Sequence, residues 1–375
     1  MPRPLSHLFP ISPVSPLMSL TRLDIFNLRL FEKSRLEPSA GLNLVVGENA
    51  SGKTSLLEAV HVLATGRSFR TQRMEPVIRH GARDLMVTGR LRVDGRQISL
   101  GIRKGGGRTV ARINGKTVRS QSELAQALPL QVIHPDSHAL LSGSPAERRG
   151  FLDWGVFYQS PESMAHWQNY RRALIQRNEA LRRGLNDKAL DIWEALLAQS
   201  GEAMDRARLS YLDTLLRHVR ELETLLPGNE GVDIAYRRGW REGVDLKTLL
   251  QTARPREREM GYTLSGPHRA DVVFRRGDVL LADGASRGQQ KSAVLLLRLA
   301  QVAAFRGVSG RSAVVMVDDL PSELDEVHRD AVLALLRGLD CQVFVTAIDA
   351  RQIDALGWSS FRMFHVEHGR LKEIR

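Results

Sequence analysis

Cysteine is almost absent from this chain, with Cys341 the single one in 375 residues. An internal disulfide framework is therefore excluded, and a reducing cytosol is the compartment that fits. No cluster of Cys and His has zinc-site spacing, so a structural zinc fold is excluded as well. Long apolar runs are missing too. The best stretch, Ala293 to Phe305, is interrupted by Arg298 and Gln301, so no transmembrane helix is expected and the reading is cytoplasmic, with no membrane partner. Pro2, Pro4, Pro10, Pro13 and Pro16 break up the first seventeen residues, which makes a poor secretory leader. Residues 1–17 read either as a disordered tail or as an extension ahead of a true start at Met18.

What the chain has in excess is positive charge. Lys and Arg number 54 against 42 Asp and Glu, a net charge of +12. That balance favours polyanionic partners, nucleic acid first, although anionic lipid or acidic proteins share the chemistry. With 42% hydrophobic and 26% charged residues the composition is that of a soluble globular protein, long enough for two lobes.

The most informative stretch runs from Leu42 to Thr54. An apolar strand, Leu42 to Val46, enters Gly47-Glu48-Asn49-Ala50-Ser51-Gly52-Lys53-Thr54, which has the form G-x-x-x-x-G-K-[ST]. By composition this pattern arises by chance in roughly one or two per cent of chains this long. Gly47 and Gly52 let the backbone curl so that successive N–H groups face one anion, and the following helix adds its positive end. Lys53 is expected to reach the β- and γ-phosphates and Thr54 to ligate Mg²⁺, so ATP with Mg²⁺ is the expected cofactor.

Along the chain, alternation at Leu20, Leu23, Ile25 and Leu28 predicts a first strand over Ser19 to Arg29. The helix after the phosphate loop runs through Leu63 to a stop at Gly66. A basic turn, Arg67 to Thr71, comes next. From Asp84 to Asn114 the pattern is that of an antiparallel meander, with Asp94-Gly95 and Asn114-Gly115 as hairpin turns. Leu128 to Ile133 is a short strand. About ninety helical residues then follow, rich in arginine. Most of these arginines fit solvated helix faces, and the cluster from Arg171 to Arg183 is the best candidate for facing DNA. Gly228 to Arg258 reads as loop. Strand texture returns near Phe274, which implies an inserted helical lobe over 126–259 within an ATPase lobe built from 18–125 and 260–375.

Three further motifs follow. Ser286-Arg287-Gly288-Gln289 opens a long helix expected over Ser292 to Phe305, and by itself it reads as a capping box. Ala313 to Val317 is a buried strand ending in Asp318-Asp319. Asp318, at the tip of a strand next to the phosphate-loop strand, suits a Mg²⁺ carboxylate. Asp319 would orient or deprotonate the attacking water, so Asp319 and Lys53 are the candidate catalytic residues. Ser322-Glu323-Leu324-Asp325 and a buried strand, Gln342 to Ala347, complete the series.

In this order the motifs resemble those of ABC-type ATPase heads. That resemblance implies ATP held between two protomers, with Ser286, Gly288 and Gln289 of one copy meeting the phosphate loop of the other. The glutamine-loop candidate is Gln131.

Over Met18 to the end the chain resembles the RecF family of bacterial recombination mediators, related to SMC heads. The specific supports are Gly66-Arg67-Ser68-Phe69-Arg70, the stretch from Gly143-Ser144-Pro145 to Asp153-Trp154, and Gly266-Pro267-His268-Arg269-Ala270-Asp271. The implied fold is α/β: an ABC/SMC-type P-loop head, with a mixed sheet and an antiparallel meander, carrying an inserted, mainly helical arm lobe. The implied function is ATP-dependent binding of single-stranded, gapped and junction DNA in recombinational repair, replication-fork maintenance and the SOS response. RecO and RecR would be partners in loading RecA, and a weak DNA-dependent ATPase would act as a switch on an ATP-dependent homodimer. Three positions depart from the pattern. Ala50 replaces a glycine, Pro321 a small residue, and Thr346 the switch histidine of many ABC proteins, which implies slow hydrolysis. The alternative is the ATPase subunit of a membrane transporter, against which the arginine-rich lobe and the charge argue. An ATPase-coupled nuclease would need a further acidic metal cluster, and none is recognisable.

Overall fold

In the computed structural model, residues 18–118 and 120–374 are described, so the tail expected at residues 1–17 lies outside the described residues. Strand β1 (Met18–Leu28) is followed by β2 (Phe31–Leu36), which turns back antiparallel on it, and by β3 (Leu42–Val46), whose five residues are all buried. Helix α1 (Lys53–Thr65) ends at Gly66, where φ is 68° and the N–H closes on the Val62 carbonyl. Strands β4 (Asp84–Val93), β5 (Arg96–Gly105), β6 (Arg108–Ile113) and β7 (Lys116–Thr117) form the expected meander. Asp94-Gly95 and Asn114-Gly115 take φ of 48°, 76°, 49° and 77°, the paired left-handed turn that suits two twisted strands. A capping box at Ser120 and Glu123 starts α2 (Gln121–Ala127), and β8 (Leu130–Ile133) follows.

The helical stretch comprises α3 (Ala139–Ser142), α4 (Pro145–Gln159), α5 (Ser163–Arg182) and α6 (Asp187–Glu223). The segment read as loop instead holds β9 (Val232–Arg237), α7 (Leu246–Thr252) and α8 (Arg254–Met260). Each is too short for periodicity to reveal: α7 shows only an Asp245 cap on the Thr248 N–H and two buried leucines, Leu246 and Leu250. Then come β10 (Asp271–Arg276), β11 (Val279–Leu280), α9 (Leu281–Gly284) and α10 (Arg287–Ser309). Helix α10 is long and apolar enough to cross a membrane, but most of it is buried in the fold. Its Gln301 side chain is spent on the Phe151 carbonyl at 2.7 Å. The chain closes with β12 (Val314–Val317), α11 (Leu320–Glu323), α12 (Glu326–Gly338), β13 (Gln342–Ala347), β14 (Phe361–Glu367) and β15 (Arg370–Ile374).

Two compact units result: residues 18–137, 225–227 and 305–374 form one, and 138–224 with 228–304 the other. Residues 126–137 thus fall in the first unit, because β8 pairs in parallel with β12. Residues 260–304 fall in the second, where β10 pairs antiparallel with β9. The first unit has a sheet of order β15-β14-β3-β13-β12-β8, parallel except at β15, and the antiparallel sheet β2-β1-β4-β5-β6-β7. Leu56, Leu57 and Val60 of α1 share one core with Leu23 of β1 and Val87 of β4 in the antiparallel sheet and Phe344 of the parallel sheet. Gly89 permits this approach, since a Cβ there would lie 2.4 Å from Leu63.

The second unit couples the three-stranded sheet β11-β10-β9 to the helices. Its core gathers Tyr170, Leu197, Met204, Trp240 and Leu250. Arg177, from the arginine cluster expected to face DNA, is fully buried there. It is paired with Glu194 at 2.9 Å and Glu257 at 2.6 Å, and donates to Thr263 and to the Leu250 carbonyl. Arg182 and Arg183 both pair with Glu179. Arg177→Met leaves two buried carboxylates without their shared cation, so it is expected to cost about 3–5 kcal/mol, read as a lowered denaturation midpoint. An unchanged midpoint would mean that Arg254, which also pairs with Glu194, suffices alone.

Candidate nucleotide site

The phosphate loop joins the carboxyl end of β3 to α1. Gly47 has φ 155° and lies so close to the Val366 carbonyl that a Cβ would approach it to 2.3 Å. Gly52, at φ 118°, caps the helix. Ala50 stands in the left-handed region at φ 63°, which glycine occupies without a steric cost. Among the described residues the N–H groups of Asn49, Ala50 and Gly52 have no acceptor, and the buried Ser51 hydroxyl has no partner. Such a set of unpaired donors at a helix N-terminus suits a polyanion. The Lys53 ammonium is buried and donates to the Gly47 and Glu48 carbonyls at 2.7 and 2.9 Å. Burial holds it below its ordinary pKa, opposed by the charges of Asp319 and Asp318.

Thr54 donates its hydroxyl to Asp318, with distances of 2.9 and 3.1 Å to the two carboxylate oxygens. A hydroxyl and a carboxylate, both hard oxygen donors, fit Mg²⁺ carried in with phosphates, a mode of binding that needs few protein ligands. Asp318 is not on the strand next to the phosphate-loop strand, as expected from sequence: β13 lies between β3 and β12. The intervening strand supplies Thr346, which is fully buried. Its hydroxyl donates to Asp318 at 2.7 Å and accepts the Asp319 N–H at 2.7 Å. Asp319 itself is half-buried at φ 54° and precedes α11, with Pro321 in the first turn, where a missing N–H leaves no gap. Gln131 is buried inside β8, opposite Val315 in register, and not on a loop.

Ser286, Gly288 and Gln289 lie in the second unit. Ser286 and Gln289 form a reciprocal capping box: the Ser286 N–H reaches Gln289 Oε1 at 2.9 Å, and the Gln289 N–H reaches Ser286 Oγ at 3.3 Å. Gly288 is exposed, with open space where a Cβ would point.

The two remaining motifs meet within the second unit. Arg148 grips Asp271 through two bonds of 2.8 and 2.9 Å, and Arg149 donates to the Ala270 carbonyl. Arg208 ties Asp153 to the Pro267 carbonyl, and His268 bonds the Tyr170 hydroxyl at 2.6 Å. Burial pushes the His268 imidazole down to about 4. These residues brace α4, α6 and the turn before β10 against one another.

A parallel sheet with an antiparallel meander, a phosphate loop and a paired-acid strand end define a P-loop ATPase head of the SMC type. The RecF/RecN/SMC N-terminal domain model matches residues 19–372. The DNA replication and repair protein RecF of Thioalkalivibrio sulfidiphilus is 46% identical over 357 residues, 95% of this chain and 99% of the relative. RecF of Pseudomonas aeruginosa is 41% identical over 362 residues, 95% and 98% of the two chains. A solved structure of the recombination mediator RecF with ATP, in the RecFOR pathway, has TM-score 0.87 and 25% identity, covering 97% of this chain and 100% of that one. The Smc head of Pyrococcus furiosus shares the fold, with TM-score 0.56 and 15% identity over 95% and 96% of the two chains. The chain belongs to the RecF family of DNA replication and repair proteins.

Thr346 gave no signal in sequence beyond its departure from histidine. Thr346→Val removes the donor to Asp318 and the acceptor for the Asp319 N–H. It is expected to lower stability by about 1–3 kcal/mol and to reduce ATP turnover more than ATP affinity. Calorimetry and steady-state hydrolysis read the two effects, and unaltered turnover would remove Thr346 from the site.

Proposed function

We propose that this protein is an ATP-switched DNA-binding protein of recombinational repair and replication-fork maintenance. The observation that carries the reading is the hydrogen-bonded series Thr54–Asp318–Thr346–Asp319 beside Lys53. The unpaired loop amides and Lys53 bind the phosphates of ATP and orient the terminal one. Thr54 and Asp318 hold Mg²⁺, which when bound supplies charge neutralisation at the phosphates. The Thr346 hydroxyl keeps the Asp318 carboxylate aimed and pins the backbone of Asp319, whose carboxylate positions the attacking water. With a threonine in place of a second base, turnover is weak and ATP acts chiefly as a clamp.

A second copy of the chain closes the site. Ser286 Oγ accepts from Gln289 within the capping box, which leaves its own O–H to donate to a phosphate oxygen of the partner's ATP. The exposed N–H of Gly288, at the start of α10, adds a donor with no side chain in the way. ATP-dependent dimers then bind single-stranded, gapped and junction DNA through the cationic surface, and with RecO and RecR help load RecA in the cytoplasm, feeding the SOS response. Support comes from the charge of +12 and from relatives called DNA replication and repair proteins, one of them described as a recombination mediator in the RecFOR pathway. The transporter reading has no such support.

Sedimentation with ATP and gapped DNA tests switch, dimer and partner together. Wild type is expected to shift from monomer to dimer with ATP and to carry DNA, whereas Lys53→Ala stays monomeric. A Lys53→Ala dimer identical to wild type refutes the site. Asp319→Asn is expected to give a dimer that outlasts wild type after ATP is withdrawn, and normal turnover in that variant would assign the water to another residue. Ser286→Arg is expected to bind ATP normally and remain a monomer; loss of ATP binding itself would count against completion by a second copy.

A further inference from the structure

At the far end of α1 from the phosphate loop, about 20 Å away along the helix, lies a cavity of about 650 Å³ in the first unit. Arg67, Phe69, Arg70, Lys104 and Gln121 line it. Lys104 is the anomaly. On β5 it follows Leu100 and Ile102 on the inward face, the position at which alternation calls for another aliphatic residue. It is 9% exposed, and its ammonium has no hydrogen-bond or ion-pair partner among the described residues. An inward charge of this kind guards edge strands against aggregation, but β5 is interior, between β4 and β6. Burial and the nearby Arg67 charge both disfavour the ammonium, with Glu75 opposing.

The loop that faces Lys104 is built rigidly. Buried Glu58 takes two bonds from Arg29, at 2.8 and 2.9 Å, and one from the Ser68 hydroxyl, with Arg70 3.8 Å away. Ser68 Oγ in turn accepts the Arg70 and Thr71 N–H groups. Gln121 holds the Arg67 guanidinium at 3.1 Å. Two cations, Arg67 and Lys104, are thus kept close together with no carboxylate paired to either, Glu75 acting on Lys104 only from a distance, and Arg73 follows, exposed.

We propose that this cavity is a second phosphate site, taking the sugar–phosphate backbone of a nucleic acid, with Lys104 and Arg67 as its ligating cations. The proposal rests on the DNA-binding reading above. Phosphodiester oxygens would supply the counter-charge that the fold withholds from Lys104, and an open hollow of this size with cations across it accommodates a strand better than one small anion. The Arg67-to-Thr71 turn therefore does more than a solvated turn would.

The test uses the full chain with ATP and a fluorescent gapped oligonucleotide, titrated over a salt series, for wild type, Lys104→Met and Lys104→Arg. Lys104→Met is expected to bind DNA about five- to tenfold more weakly, with a salt slope shallower by about one, while Lys104→Arg stays close to wild type. Fluorescent-ATP affinity should be the same in all three. Because Met removes a buried unpaired cation, its Tm without DNA should rise, so weakened binding cannot be put down to misfolding. Wild-type affinity and slope in Lys104→Met overturn the proposal while the DNA reading stands. Failure of wild type to bind any DNA overturns that reading and the proposal with it. A third arm adds inorganic phosphate: if it raises the wild-type Tm but not that of Lys104→Met, while DNA binding is unaltered by the substitution, the cavity holds free phosphate and the proposal falls.

Discussion

Parallel pairing of β13 between β3 and β12 is the constraint on which the rest of the structure depends. It brings three carboxyl ends abreast, so that a loop, a hydroxyl and two carboxylates from distant parts of the chain share one edge of the sheet. Residues 46, 317 and 347 each end a fully buried strand, and the polar groups of the site follow directly on these strand ends, with Lys53 and Asp318 still buried. Thr346 is a polar side chain inside the sheet whose donor and acceptor are both used. Buried hydroxyls of that kind are stable only when fully paired.

Much of this was legible in the amino-acid order. Gly47 to Thr54 could be read because a phosphate nest needs glycine at set spacing, and the meander because Asp-Gly and Asn-Gly turns demand positive φ. The capping box at Ser286 and Gln289 was readable for the same local reason. What could not be read was non-local. The insertion of β13 between its neighbours is a choice of strand order, to which β-propensity is indifferent. The same holds for Arg177: its charge suggested solvent, whereas Glu194 and Glu257, seventeen and eighty residues away, bury it. Lys104 was equally hidden, since one lysine in a strand is ordinary until its face is known.

The motifs divide by task. The phosphate loop and the Asp318-Asp319 strand end lie with the parallel sheet. The Arg148-Arg149 and Gly266-to-Asp271 segments are spent on bracing the second unit, through Asp271, Asp153, Ala270 and Pro267. Specific sequence thus marks load paths between helices as strongly as it marks chemistry. Arg177 and Arg208 are internal struts held by buried or half-buried carboxylates, whereas Arg182 and Arg183 pair with Glu179 at the surface.

The flanking of β3 also sets a timetable. Its neighbours on both sides, β13 and β14, come from the last tenth of the chain, and Asn43 reaches the Val343 carbonyl across 300 residues. At synthesis rates of about 5–20 residues per second, that gap is about 15–60 s during which the phosphate-loop strand has no partner. The meander, whose strands are consecutive, can close long before. A nascent chain therefore cannot seat the phosphate-loop strand in its sheet until it is nearly complete.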